Sequence, residues 1–170
     1  MFIIENETIG LRRYTHADDR DMYDCWRDID TQKGYNGIFS ETFEEFSAHD
    51  IEAFRFWVVA VDRRTGENVG VLRLGPDAVC PDLAVWIYPG YRNKGCGTMA
   101  FRLALEYIFG TYGYDEISAG CYQDNEYSLR MLKSLGFTRY PSGDEAEVDC
   151  FTGKMTVQLE FRLRKSDFSC

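Results

Sequence analysis

Apolar and polar positions along the chain repeat with two different periods, and the changeovers mark the elements. Residues 8–14, "TIGLRRY", predict a first strand. Thr15 then opens T-x-x-D with Asp18, a capping-box pattern, and Met22, Cys25, Trp26 and Ile29 recur at helical spacing, predicting a first helix. "QKGYNGIF" breaks that helix. A second is signalled by Thr42 and Glu45 as a capping pair, with Phe43, Phe46, Ile51 and Phe54 near one face.

The pattern changes at Phe56. "FWVVAVD", the turn Arg63-Arg64-Thr65-Gly66 and "VGVLRLG" predict a β-hairpin, and residues 83–88, "LAVWIY", predict a further strand between Pro81 and Pro89. From about Gly97 to Phe109 the apolar residues lie on nearly every side, so this helix is expected to be deeply buried. "EISAGCY" predicts a short strand. Asp124-Asn125 then caps a helix running to Leu135, with Gly136 as its stop. "FTRY" and the alternating "KMTVQLEFRL" close the chain as two strands. The order predicts a mixed α/β or α+β sheet with helices packed on it. With no linker, repeat or low-complexity tract in view, residues 1–170 are read as one domain.

Composition narrows the function classes. Nineteen Lys and Arg stand against 28 Asp and Glu, a formal net charge of −9 that repels nucleic acid and anionic membrane and tolerates cationic or amine substrates. The six cysteines are scattered without a C-x-x-C pair and only two histidines accompany them, so no metal site is expected. "MFIIENETIG" turns acidic too early for a signal segment, and no apolar run approaches the ~18 residues of a membrane span. The expectation is a reduced, cytoplasmic protein.

The candidate chemistry lies in "WIYPGYRNKGCGTMAFRLALEYIF". A Walker A loop fails, because Gly90 and Gly95 have its interval but Cys96-Gly97 follow. A dinucleotide fingerprint is formally met by Gly95, Gly97 and Ala100. Its context is wrong, since "PGYRNK" separates strand from glycine and Asp115-Glu116 precede their strand. R-x-x-G-x-G, from Arg92 to Gly97, remains: glycines admit close backbone approach to an oxyanion, and the helix start directs N–H groups and a positive dipole end at it. Arg92 and Lys94 add charge if they turn inward. The competing reading is a plain strand-to-helix turn that needs glycine for positive φ.

The loop, taken with "LRRYTHADDRDMYDCW", "GENVGVLRLG" and "NEYSLRMLKSLGF", resembles the GNAT-type N-acetyltransferases over essentially the whole chain. More narrowly it is similar to the branch that includes ribosomal-protein N-terminal alanine acetyltransferases. The resemblance implies a mostly antiparallel sheet that splays at the cofactor site, and acetyl-CoA as cosubstrate without a metal. It implies that Val85, Trp86 and Ile87 pair with the pantetheine arm. It further implies that the backbone of Arg92, Asn93, Lys94, Gly95, Cys96, Gly97 and Thr98 holds the pyrophosphate.

Three residues are candidates for the chemistry. Many relatives carry a Tyr where this chain has Leu132, so by resemblance the acid for the departing thiolate is Ser128 of N-x-x-S, with Asn125 binding pantetheine or an ordered water. Read without the resemblance, Asn125 is a helix cap and Ser128 a first-turn surface residue. Asp82 is the candidate base, acting through water, because the alternative position is Gly120; otherwise it is a solubilising strand-edge charge. A covalent route through Cys96 or Cys121 is not expected, since no histidine has a motif reason to lie nearby.

Acceptor specificity is expected from the first helices, their "TQKGYNGIF" connection and the acidic loop "YPSGDEAEVDCFTGK". The expected partners are an amine-bearing substrate, either a protein N-terminus or a small molecule such as an antibiotic or polyamine, and a second copy as a candidate homodimer. The rival class is a non-catalytic acyl-CoA-binding module on the same fold, to which Leu132 and Gly120 lend footing.

Overall fold

The computed structural model describes residues 1–169. Five antiparallel strands form the first sheet: β1 (Ile4–Glu5), β2 (Ile9–Arg13), β3 (Trp57–Asp62), β4 (Asn68–Leu74) and β5 (Leu83–Ile87), in that spatial order. The second sheet is built around β9 (Met155–Arg164), which pairs with β6 (Glu116–Tyr122), β7 (Thr138–Arg139) and β8 (Glu145–Val148). The helices are α1 (Asp19–Arg27), α2 (Ile29–Gly34), α3 (Phe43–Ser47), α4 (Cys96–Thr111) and α5 (Glu126–Ser134).

Helices cover both faces of the first sheet, which is why "WVVAVD" and "VGVLRL" read as near-continuous apolar runs. On one face Ile9, Leu11, Val58, Ala60, Leu72 and Leu74 pack against Ala100, Phe101, Ala104 and Ile108 of α4. On the other, Val59, Val71, Trp57 and Trp86 meet Met22, Cys25 and Phe46 from α1 and α3. The all-round apolar character of α4 follows from its position, since it is wedged between the sheet and α5 rather than lying on a surface.

The expected strands, the hairpin with Gly66 at φ 76°, the buried α4 and the Asn125-capped α5 are all present. Four local readings need correction. The first helix does not continue to Ile29. Asp28 is extended, with ψ 128°, and its carboxylate accepts the Thr31 N–H, so it starts a separate helix in which "QKG" is helical rather than a break. The second expected helix ends at Ser47; Asp50 then caps a 3-10 turn over residues 51–53, so Ile51 and Phe54 lie outside it. "EAEV" within the acidic loop pairs with β9, because the Asp149–Lys154 turn folds it back. Ile4 and Glu5 add an edge strand against Leu11 and Gly10.

The two sheets meet at one point. Asp82 forms a parallel bridge with Ser118, whose N–H donates to the Pro81 carbonyl at 3.0 Å, and beyond it β5 and β6 diverge. That divergence is the expected splay, and it opens a cleft between the sheets.

Candidate active site

Hydrogen-bond alternation decides what β5 offers the cleft. The Asp82 carbonyl accepts from Gly75 N–H and Tyr88 N–H donates to the Val69 carbonyl, so the even-numbered residues of β5 bond to β4. The backbone groups of Val85 and Ile87 therefore point outward, into a cavity of about 420 Å³. Two outward carbonyls have side-chain partners: Val85 accepts from the Tyr35 hydroxyl at 2.6 Å, and Ile87 from Arg92 Nε at 3.1 Å.

The loop after β5 turns through two left-handed residues, Asn93 at φ 59° and Gly95 at φ 80°, and α4 begins at Cys96. A Cβ added at Gly97 would stand 3.3 Å from Ile87 Cγ1, so the helix start presses directly on the end of β5. The first-turn N–H groups of α4 thus open on the same cavity as Val85 and Ile87, which Asn93 and Gly97 also line.

Both cations of this loop are engaged by protein partners, although Arg92 lines the cavity and Lys94 does not. Arg92 donates to Asp28 Oδ2 at 2.8 Å and to Thr31 Oγ1 at 2.6 Å, and Lys94 Nζ donates to the Gly90 carbonyl at 2.8 Å. Partial burial opposes ionisation of Asp28, but the Arg92 bonds and the Thr31 N–H outweigh it and hold the carboxyl below its ordinary value. Arg92 ties the loop to the start of α2.

Across the cavity, the Asn125 side-chain carbonyl accepts the Ser128 N–H at 3.1 Å, so Asn125 caps α5 and keeps its Nδ2 donor free of that bond. Asn125 and Ser128 both line the cavity, with Met131 and the buried Leu132 behind them. Asp82 lines it too, at the root where β5 and β6 join, leaning over Gly75 so closely that a Cβ there would overlap its Oδ1. Gly120 leaves room that Gln158 fills; a Cβ at Gly120 would meet Gln158 Nε2 at 3.0 Å. Cys121 also lines the cavity, and burial pushes its thiol up to about 11, so at neutral pH it is protonated and a poor nucleophile.

Sequence reasoning missed Tyr35 and Asn36. The Tyr35 ring stacks on Trp86 with centroids 5.0 Å apart, and burial raises its phenol well above the ordinary value. Asn36, left-handed at φ 47°, donates to the Val148 carbonyl at 3.0 Å and accepts the Cys150 N–H at 2.8 Å. The turn after α2 therefore bridges from β5 to the β8–β9 hairpin across the cleft. The only local signal is Asn-Gly, which marks a turn but not what the turn reaches.

Residues 8–138 match the family model described as the acetyltransferase (GNAT) domain. The chain is a GNAT acetyltransferase. The GNAT fold extends over the whole chain in solved structures. A GNAT-family acetyltransferase from Bacillus anthracis superposes with TM-score 0.79 at 19% identity, over 98% of this chain and 99% of that one. Spermidine N-acetyltransferase from Vibrio cholerae, in complex with CoA and spermine, gives 0.83 at 17%, over 95% and 98%. Ribosomal-protein-S5-alanine acetyltransferase from Vibrio fischeri gives 0.76 at 15%, over 98% of each chain.

Acetyl-CoA is the cosubstrate of this family, and the cleft of this GNAT protein has the parts that such a ligand needs. The outward backbone of β5 suits an extended amide chain, and the left-handed loop with the α4 start suits a pyrophosphate. Among the described residues no group of three or more His, Cys, Asp or Glu is placed to hold a metal ion. Among the described residues no helix is long and apolar enough to cross a membrane.

Proposed function

We propose that the protein transfers an acetyl group from acetyl-CoA directly to a primary amine, with the cosubstrate lying in the cleft between β5 and β6. The observation that carries the reading is the convergence in one cavity of the outward Val85 and Ile87 backbone, the α4 start, Asn125 and Ser128. The pantetheine arm adds to β5 as an extra strand, and the pyrophosphate sits on the backbone of residues 92–98. Because Tyr35 occupies one lone pair of the Val85 carbonyl, a pantetheine amide has to share that acceptor with the phenol or displace it.

In the transfer, the amine nitrogen attacks the thioester carbonyl carbon, the N–C bond forms, the C–S bond breaks, and the nitrogen loses a proton while the sulfur gains one. An outward N–H of β5 polarises the carbonyl oxygen. Ser128 supplies the proton to sulfur, and Asp82 receives the amine's proton through water. The buried, protonated Cys121 supports transfer without an acetyl-enzyme.

The spermidine and ribosomal-protein enzymes of the same fold act on a polyamine and a protein N-terminus, and both acceptor classes are chemically open here. The five free thiols among the described residues support a reducing, cytoplasmic location.

Calorimetric titration with acetyl-CoA, with NAD as the control ligand, tests the cofactor assignment: micromolar binding of acetyl-CoA alone is expected, and no binding removes the reading. Ser128→Ala is expected to lower kcat by about 100-fold, the size of a lost general acid, while acetyl-CoA affinity is kept. Unchanged kcat excludes Ser128 from the proton step. A pH–rate profile of Asp82→Asn that matches the wild type removes Asp82 as the base.

A further inference from the structure

A second cavity, of about 280 Å³, lies on the sheet face that carries α1 and α3. Its walls are Trp26, Phe39, Phe46, Trp57, Trp86 and Arg73, and Trp86 is shared with the cofactor cleft. Trp57 and Arg73 are direct partners across β3 and β4, and Trp86 pairs with Val71 two residues from Arg73, so all three rise from one patch of sheet.

Arg73 is unlike the other half-buried arginines. Arg12, Arg92 and Arg162 meet carboxylates at 2.6, 2.8 and 3.3 Å, and Arg102 donates to the Ser169 carbonyl at 2.9 Å. Among the described residues Arg73 has no carboxylate within ion-pair distance, and its side chain donates no hydrogen bond. It is held instead over aromatic faces, its guanidinium carbon 4.5 Å from the Phe54 centroid, 5.6 Å from Trp57 and 5.4 Å from Trp86. Burial draws its pKa down, and the charge of Asp82 opposes this only through space.

The other charged groups of the pocket leave that cation unmatched. Glu41 and His49 also line it but face each other, His49 Nε2 lying 3.4 Å from Glu41 Oε2. The buried Nε1–H donors of Trp57 and Trp86 have no acceptor, and Glu41 Oε2, beside His49, is buried without a hydrogen bond, so the wall holds unpaired donors together with one unpaired acceptor. A partly desolvated guanidinium without an anion is costly to maintain, and an aromatic setting strengthens its pull on one that arrives.

We propose that this pocket is the acceptor subsite and that Arg73 binds a carboxylate carried by the amine to be acetylated. The proposal rests on the acetyl-transfer reading above. The carboxylate takes the guanidinium fork, and the amine reaches past Trp86 to the cleft. A polyamine, which brings only positive charge to Arg73, is disfavoured.

All three tryptophans of the protein line this pocket, so intrinsic fluorescence reports its occupancy. The probes are glycine, β-alanine, 4-aminobutyrate and 6-aminohexanoate, each titrated beside its amide at matched ionic strength. At least one acid is expected to give a saturable emission change with affinity at least about tenfold above its amide, the scale of a lost charge-assisted bond. Arg73→Gln is expected to abolish that difference, and Arg73→Lys to keep part of it. The proposal is overturned if every acid titrates like its amide, if no acid gives a saturable change, or if Arg73→Gln keeps the acid preference. The wild-type comparison of acid with amide stands even if a variant fails to fold. If an acid binds at Arg73 while acetyl-CoA does not bind, the acetyl-transfer reading fails and the carboxylate site survives. If acetyl-CoA binds and amines are acetylated without preference for the acids, only the carboxylate site fails.

Discussion

The Tyr35 hydroxyl donates to the carbonyl of Val85 at 2.6 Å, across fifty residues of sequence, and so holds a backbone acceptor on the strand that faces the cofactor cleft. Removing the hydroxyl frees that acceptor. Tyr35→Phe is therefore expected to bind acetyl-CoA about two- to tenfold more tightly, the range of one hydrogen bond released from competition. Weaker binding, measured by calorimetry, would show that the phenol contacts the cofactor instead of competing with it.

Gly95 stands at φ 80° with open space where a Cβ would go, so an alanine there meets backbone strain and no clash. Gly95→Ala is expected to lose about 1–2 kcal/mol of stability. It should also weaken acetyl-CoA binding more than Gly90→Ala, whose site is equally open and has no positive φ. Thermal melting and calorimetry on the pair separate strain from contact.

Asp18 is buried and takes two bonds from Arg12, at 2.6 and 2.8 Å, with a third from the Thr15 N–H. Burial alone would raise its pKa, but these bonds together draw it below 3.8. A depressed carboxylate contributes stability that is full above its unfolded pKa and disappears as pH falls through the folded value. Asp18→Asn is expected to cost about 2–3 kcal/mol at neutral pH. Its melting temperature should then fall less than that of the wild type between pH 5 and the acid limit; an equal fall would locate the acid-labile contact elsewhere.

Burial pushes the Cys121 thiol up to about 11, although the thiol lines the cofactor cavity. Cys121→Ala is expected to keep wild-type kcat, and iodoacetamide at pH 8 to modify Cys121 more slowly than the exposed Cys150. An acetyl thioester found on Cys121 by mass spectrometry during turnover would replace direct transfer with a two-step route.

Local chemistry carried much of this protein into legibility. The left-handed loop ending at Gly95, the all-round apolar α4 and the Asn125 cap each depend on neighbours within a few residues, and each was readable from the sequence together with the resemblance it supported. Asp28 shows where such reading stops. The D-x-x-T cap that starts α2 was present in the sequence, but a chain break followed by a second helix and a longer helix with a polar end look alike until the packing chooses.

The sequence by itself determined the central strands, the buried helix and the glycine loop, because backbone conformation and burial pattern are written at short range; the edge strand β1 and the strand β8 were not legible in it. The tertiary structure alone decided where the long side chains point. Arg92, expected at the phosphate mouth if it turned inward, is drawn to Asp28, which lies 64 residues away along the chain. Tyr35 was placed over β5, and Arg73 was left over aromatic faces without an anion. Such outcomes depend on which carboxylates and carbonyls the folded chain brings within reach, and contacts between residues far apart in sequence leave no periodic trace in it.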